Sequence, residues 1–173
     1  MIPRLLIVHH SRTGLARQMS EAMELGAISA SQEMELKLDV IRKKACDANT
    51  CDVLHADGYL FCCPENLACA SGAMLEFFHR TYYQAFDDCG ESSLIAGRPY
   101  GLAIAAGSDG ASAARQIEMI CHGWRLRPVS GTLINVSGKP QTKDEILKPK
   151  VCSPEKMDLC KELGGLVAAT LLL

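Results

Sequence analysis

The amino-acid sequence predicts an α/β protein with a parallel sheet, and three observations lead there. Five short apolar runs recur along the chain, and helical patterns separate them. At 173 residues and 48% apolar content, the chain can bury a sizeable core without disulfide staples, and residues 1–173 read as one domain. The same composition excludes disorder, a collagen helix and a coiled coil.

The elements follow in order. Arg4–His9 carries Leu5, Leu6, Ile7 and Val8 consecutively, as a strand buried on both faces requires. A helix over Gly14–Leu25 places Ala16, Met19, Ala22 and Met23 on one face. A second strand is expected at Glu35–Ile41, a helical turn near Asp52–Ala56, and a third strand at Gly58–Cys63. Pro64 is expected to stop that strand, because proline cannot donate to the ladder. A helix over Ser71–Phe86 aligns Leu75, Phe78 and Tyr82. Strand Tyr100–Ala106, helix Ser112–Gly123 and strand Val129–Val136 come next. Gly138–Lys150 is polar and reads as a surface excursion. The last helix, Pro154–Leu171, opens with Ser153 as N-cap and Pro154 at its first position.

Charge and cysteine usage narrow the function classes. A net charge of −2 carries no basic signature of a nucleic-acid binder. Nine cysteines are an odd number, none in CxxC spacing, so they read as reduced thiols in a cytoplasmic protein. No zinc or other metal site is expected. The apolar stretch Leu163–Leu173 falls well short of the roughly 20 residues a membrane span needs. His9 and His10 end the first strand and read as structural, while His55, His79 and His122 lack metal-ligand spacing.

Ligands of doubly wound sheets lie outside the carboxyl ends of the strands. Three loops there are unusual. After the first strand, Ser11-Arg12-Thr13-Gly14 leads into Leu15 and the first helix. This offers two hydroxyls, a guanidinium and unpaired helix N–H groups to a phosphate. An ordinary capped turn with Thr13 as cap is the plainer alternative. After the third strand, Pro64-Glu65-Asn66-Leu67 continues through Ala68-Cys69-Ala70 to Ser71-Gly72, small enough for a flat ligand to lie against. After the fourth, Gly107-Ser108-Asp109-Gly110 suits a turn with exposed backbone N–H groups. Neither GxGxxG nor GxxxxGK[ST] is present.

This ordered set resembles the flavodoxin-like NAD(P)H-dependent FMN oxidoreductases. The helix segment Ser71–Tyr83, Gln116-Ile117-Glu118 and Gly123-Trp124-Arg125-Leu126 resemble that family too. The resemblance implies a three-layer flavodoxin-like sandwich, with a five-stranded sheet in order 2-1-3-4-5 and helices on both faces. It implies FMN, its phosphate held by Ser11, Arg12, Thr13, Gly14 and Leu15. Pro64, Glu65, Asn66 and Leu67 would border one side of the isoalloxazine, and Gly107, Ser108, Asp109 and Gly110 its other edge. Ala68 and Ala70 would leave room for a nicotinamide. The implied activity passes a hydride from NAD(P)H through FMN to a quinone or similar small acceptor, in a homo-oligomer, with the flavin and no protein nucleophile carrying the chemistry. One departure stands out. Relatives often carry an aromatic pair in the second loop, whereas this chain has Leu67 and Cys69 and only nine aromatic residues in all (four Phe, four Tyr, one Trp). Two other readings therefore stay open: a flavodoxin-type electron carrier, which a near-neutral charge does not favour, and a flavodoxin-fold protein that has lost flavin and acts through partners.

Overall fold

The computed structural model describes residues 2–173. Its strands are β1 (Arg4–His9), β2 (Asp39–Lys44), β3 (Gly58–Asn66), β4 (Cys69–Ala70), β5 (Pro99–Ala106), β6 (Arg127–Pro128) and β7 (Leu133–Val136). Its helices are α1 (Leu15–Glu33), α2 (Thr50–His55), α3 (Gly72–Thr81), α4 (Ala111–Gly123) and α5 (Pro154–Leu172). The main sheet is parallel in the order β2-β1-β3-β5, with β6 and β7 sharing the far edge against β5. With the short arm β4 the sheet counts seven strands, and the five expected ones keep the order 2-1-3-4-5.

Right-handed crossovers explain the layers. The path steps one way from β1 to β2, which puts α1 on one face. It then runs the other way from β2 through β3 and β5, which puts α2, α3 and α4 on the opposite face. Alternation along the strands sorts the core accordingly. Leu5, Ile7, Leu60 and Cys62 face α1 and α5, while Leu6, Val8, Phe61 and Cys63 face α2, α3 and α4. Eight of the nine aromatics belong to that second layer, where Trp124 stacks on Tyr82 with ring centroids 5.8 Å apart. Five cysteines are buried and four exposed, all as free thiols. Among the described residues no helix is long and apolar enough to cross a membrane.

Five boundaries differ from the sequence reading. The first helix does not end at Leu25 but runs to Glu33, where Glu35 takes a left-handed φ of 57°. It passes through Gly26 because the α5 backbone lies there: a methyl at Gly26 would collide with the Lys161 carbonyl, and one at Gly164 with that of Met23. The second strand is therefore Asp39–Lys44 instead of Glu35–Ile41. It is an edge strand tied by charge, with Arg4 to Asp39 at 2.7 Å and Arg42 to Glu24 at 2.6 Å, so it needs no continuous apolar run. Pro64 does not stop β3. The pairing of β1 with β3 ends at Cys62, so a missing N–H at residue 64 interrupts no bond there. β3 continues into a hairpin with β4. Of the expected fifth strand, Val129–Val136, only β7 at Leu133–Val136 forms; Ser130 and Gly131 are exposed, and the short β6 lies just ahead of the expected range at Arg127–Pro128. The helix expected over Ser71–Phe86 closes at Thr81 and gives way to a single 3₁₀ turn at Tyr83–Ala85.

Gly164→Ala is expected to lower stability by about 2 kcal/mol or more, since overpacking a rigid contact typically costs about 1–3 kcal/mol. Gly131→Ala, where nothing lies within 4 Å of the added carbon, should stay within about 0.5 kcal/mol. Paired urea denaturation curves measure both.

Candidate functional site

The end of β1 leads into α1 through residues 10–14, and the turn is set by Gly14 at φ 92°, a left-handed conformation that favours glycine. The Gly14 N–H donates to Ser11 Oγ at 3.1 Å, which fixes the loop and leaves the Ser11 hydroxyl hydrogen free to donate outward. Thr13 is not the cap. No side chain caps α1, and its first backbone bond back to the turn is from the Gln18 N–H to the Gly14 carbonyl at 3.1 Å. The N–H groups of Leu15, Ala16 and Arg17 are thus left at the positive end of a 19-residue helix. Arg12 stands exposed beside them and makes no ion pair among the described residues, whereas Arg17 reaches Glu21 at 3.8 Å.

The second loop is a β-hairpin. Glu65 pairs with Ala70 and Asn66 with Cys69, leaving Leu67 and Ala68 at the tip with φ of 52° and 59°. Two left-handed residues in a two-residue turn are the geometry that Asn-Gly normally supplies, so this tip is strained. Leu67 is 99% exposed. Ala70 is buried and its N–H donates to Gln116 Oε1 at 2.9 Å, so it opens no room for a nicotinamide, while Ala68 stays at the surface. Glu65 Oε2 accepts the Gly110 N–H at 3.0 Å and locks the hairpin to the third loop. Gly110, at φ 80°, is packed against Ile134 and Ala106, so its role is to turn the chain into α4.

These loops border one cleft of about 300 Å³. Of the residues expected to bind a ligand, Ser11, Arg12, Thr13, Leu15, Pro64, Glu65, Asn66, Leu67, Gly107 and Ser108 line it. Gly14, Asp109 and Gly110 do not. No described lining residue is aromatic. The cleft also has a wall that the sequence reading missed. The polar excursion folds back over the edge and contributes Gln141, Ile146, Leu147 and Lys150. Its anchor is Gln18, four residues into α1, whose spacing gave no signal of a bond made across more than 130 residues of chain.

The histidines at the end of β1 stand behind this loop as neutral groups. Burial, with Arg42 and Lys44 nearby, pushes His9 down to about 4, and burial and Arg12 lower His10 as well. His9 Nε2 sits 3.2 Å from an Arg42 guanidinium nitrogen, and its Nδ1 is buried without a partner. Positive charge at the cleft therefore comes from Arg12, Lys150 and the helix end. Among the described residues no group of three His, Cys, Asp or Glu side chains could hold a metal ion.

No protein-family model and no curated protein matches the chain. Solved structures do. A flavodoxin from the domain Archaea superposes with a TM-score of 0.73 at 15% identity, covering 97% of this chain and 98% of its own. The two-electron reduced flavodoxin of Megasphaera elsdenii gives 0.64 at 20% identity, over 95% and 98%. A WrbA-like flavodoxin protein from Agrobacterium tumefaciens gives 0.67 at 13%, over 98% and 97%. The likeness is one of fold, and the fold is flavodoxin-like.

Two outcomes are expected. An unfolded histidine titrates near about 6.5, and His9 in the fold titrates at about 4. The unfolded state therefore binds the extra proton between those values. The stabilising contribution is complete above pH ~6.5 and falls away as pH drops toward about 4. Thermal midpoints across this window should fall less steeply in His9→Gln than in the wild type. Separately, Ala68→Gly should raise stability by up to about 1 kcal/mol by relieving the left-handed turn, read from the same melts at neutral pH.

Proposed function

We propose that the protein binds FMN in this cleft and uses it for redox chemistry. The observation that carries the reading is the uncapped N-terminus of α1, entered through left-handed Gly14 and flanked by Ser11, Thr13 and unpaired Arg12. Free N–H groups, two hydroxyls and one guanidinium are the donor set that a phosphate monoester needs. The remainder of the cleft is walled by the Pro64–Ala68 hairpin, the Gly107–Ser108 turn and the segment bearing Gln141, Ile146, Leu147 and Lys150, and would take the ring system of the same ligand.

Bound there, FMN would supply the capacity to accept a hydride from NADH or NADPH and to pass the electrons to a quinone or similar small acceptor. The chain's own residues bind and orient. The α1 N–H groups, Ser11 and Thr13 hold the phosphate, and Arg12 offsets its charge. Asn66 and the backbone of Gly107 and Ser108 offer hydrogen bonds to the polar edge of the ring. The Glu65 bond to Gly110 keeps the two loops at fixed spacing. Ala68 leaves the open side of the cleft uncrowded for a co-substrate. No side-chain acid–base pair is required of the protein.

A second reading, a flavodoxin-fold protein with weakened flavin binding that acts through partners, is favoured by one observation: the cleft has no aromatic wall. A single titration separates the two. Purified protein should be yellow or become so on adding FMN, and should then oxidise NADH or NADPH steadily with a quinone present. That steady turnover distinguishes an enzyme from a pure electron carrier. The double variant Ser11→Ala/Thr13→Ala should lose about 10–100-fold in FMN affinity, as expected for charge-assisted bonds. Its affinity for riboflavin, which lacks the phosphate, should change little. Colourless protein that takes up no FMN would sink the proposal.

A further inference from the structure

The excursion over residues 137–152 is too well anchored to be a passive loop. The Lys150 N–H donates to the Thr13 carbonyl at 2.8 Å. The Gln18 side chain then closes the connection with both ends of its amide. Its Nε2 donates to the Lys150 carbonyl at 2.8 Å and to the Gly14 carbonyl at 3.1 Å, while its Oε1 accepts the Cys152 N–H at 3.0 Å. One half-buried amide thus ties the start of α1 to the approach to α5. The tie also fixes the direction of the Thr13 carbonyl, whose oxygen is taken by Lys150 and is kept from facing an anion at the helix end.

Beyond the anchor the excursion is organised. Residues 142–148 form a turn in which the Ile146 N–H donates to the Thr142 carbonyl at 2.9 Å, and Lys150 Nζ donates back to the Ile146 carbonyl at 2.8 Å. Farther along, the Gln141 amide lies against Gly107, so closely that a methyl on Gly107 would collide with it. The segment therefore spans the cleft from the α1 loop to the third loop. On it, Ile146 and Leu147 are 38% and 56% exposed while lining the cleft. Apolar side chains held in that position have surface to offer a ligand.

Building on the FMN reading, we propose that residues 141–150 form a strap over the cofactor cleft, with Gln18 as its positioning residue. In this arrangement Ile146 and Leu147 provide the apolar contact that loops without aromatic side chains do not. An FMN-binding chain whose aromatics all lie elsewhere would then hold its ligand by an aliphatic wall borrowed from the segment before α5. Two consequences differ from those of a merely structural loop. Releasing the Gln18 amide should open the strap without unfolding the sheet, and trimming Ile146 and Leu147 should weaken flavin binding while leaving the strap closed.

The test uses the full chain in three forms: wild type, Gln18→Ala, and Ile146→Ser/Leu147→Ser. Tryptic cleavage after Lys143, followed without ligand, reports how often the strap opens. Titration with FMN and with riboflavin, followed by flavin fluorescence, reports binding. Gln18→Ala should be cleaved about tenfold faster and bind FMN about tenfold more weakly, as losing the clamp's hydrogen bonds predicts. The double serine variant, altered at exposed positions that the fold tolerates, should be cleaved at the wild-type rate. It should bind FMN and riboflavin about tenfold more weakly alike, from lost apolar burial. Wild-type cleavage and wild-type FMN affinity in Gln18→Ala overturn the clamp, and unchanged flavin affinity in the double variant overturns the aliphatic wall. A wild type that binds neither flavin overturns the FMN reading and the wall with it, while the cleavage comparison still decides the clamp.

Discussion

Helix α1 is the reference against which everything at the candidate site is placed. Its middle is locked to α5 by backbone contact at Gly26 and Gly164, where no side chain separates the helices. Contacts of that kind have no slack, because neither partner can shift a rotamer to relieve them. With its axis fixed between the sheet and α5, the N-terminus of α1 must emerge at the carboxyl end of β1. That is where the strand order reverses and where the loops after β3 and β5 also emerge.

The three loops are then joined by specific bonds. Glu65 connects the hairpin to the third loop, and Gln18 connects the first loop to the chain before α5. The result is a cleft whose walls come from four distant parts of the sequence, two of them held through α1 by Gln18. A substitution at Gly26, a dozen residues along α1 from the first loop, would therefore be felt at the site. The aromatic residues play no part there. Eight of them fill the opposite layer of the sandwich, and the ninth, Tyr83, is 82% exposed.

Much of this was legible in the sequence because each central strand of a parallel sheet must be apolar on both faces. Runs such as Leu5–Val8 and Tyr100–Ala106 cannot be mistaken for surface. The special loops were legible too, since Gly14 and Gly110 both adopt the left-handed backbone their types favour. What stayed hidden depended on partners distant in sequence. Gly26 lies inside a helix because of Lys161 on another element. Arg42 sits in a strand because Glu24 on α1 balances it. The hairpin tip at Leu67 and Ala68 violates the residue preferences of its turn, so no local rule could announce it. The segment over the cleft is clamped in part by Gln18, a residue type with no positional signature.

Amide chemical shifts of the labelled protein, recorded while FMN or riboflavin is added, test the central claim most directly. FMN is expected to move the amides of Leu15, Ala16 and Arg17 together with those of Asn66–Ala68 and Gly107–Ser108. Riboflavin should move the second group and leave the first in place. FMN that binds without shifting the amides at the start of α1 would contradict it.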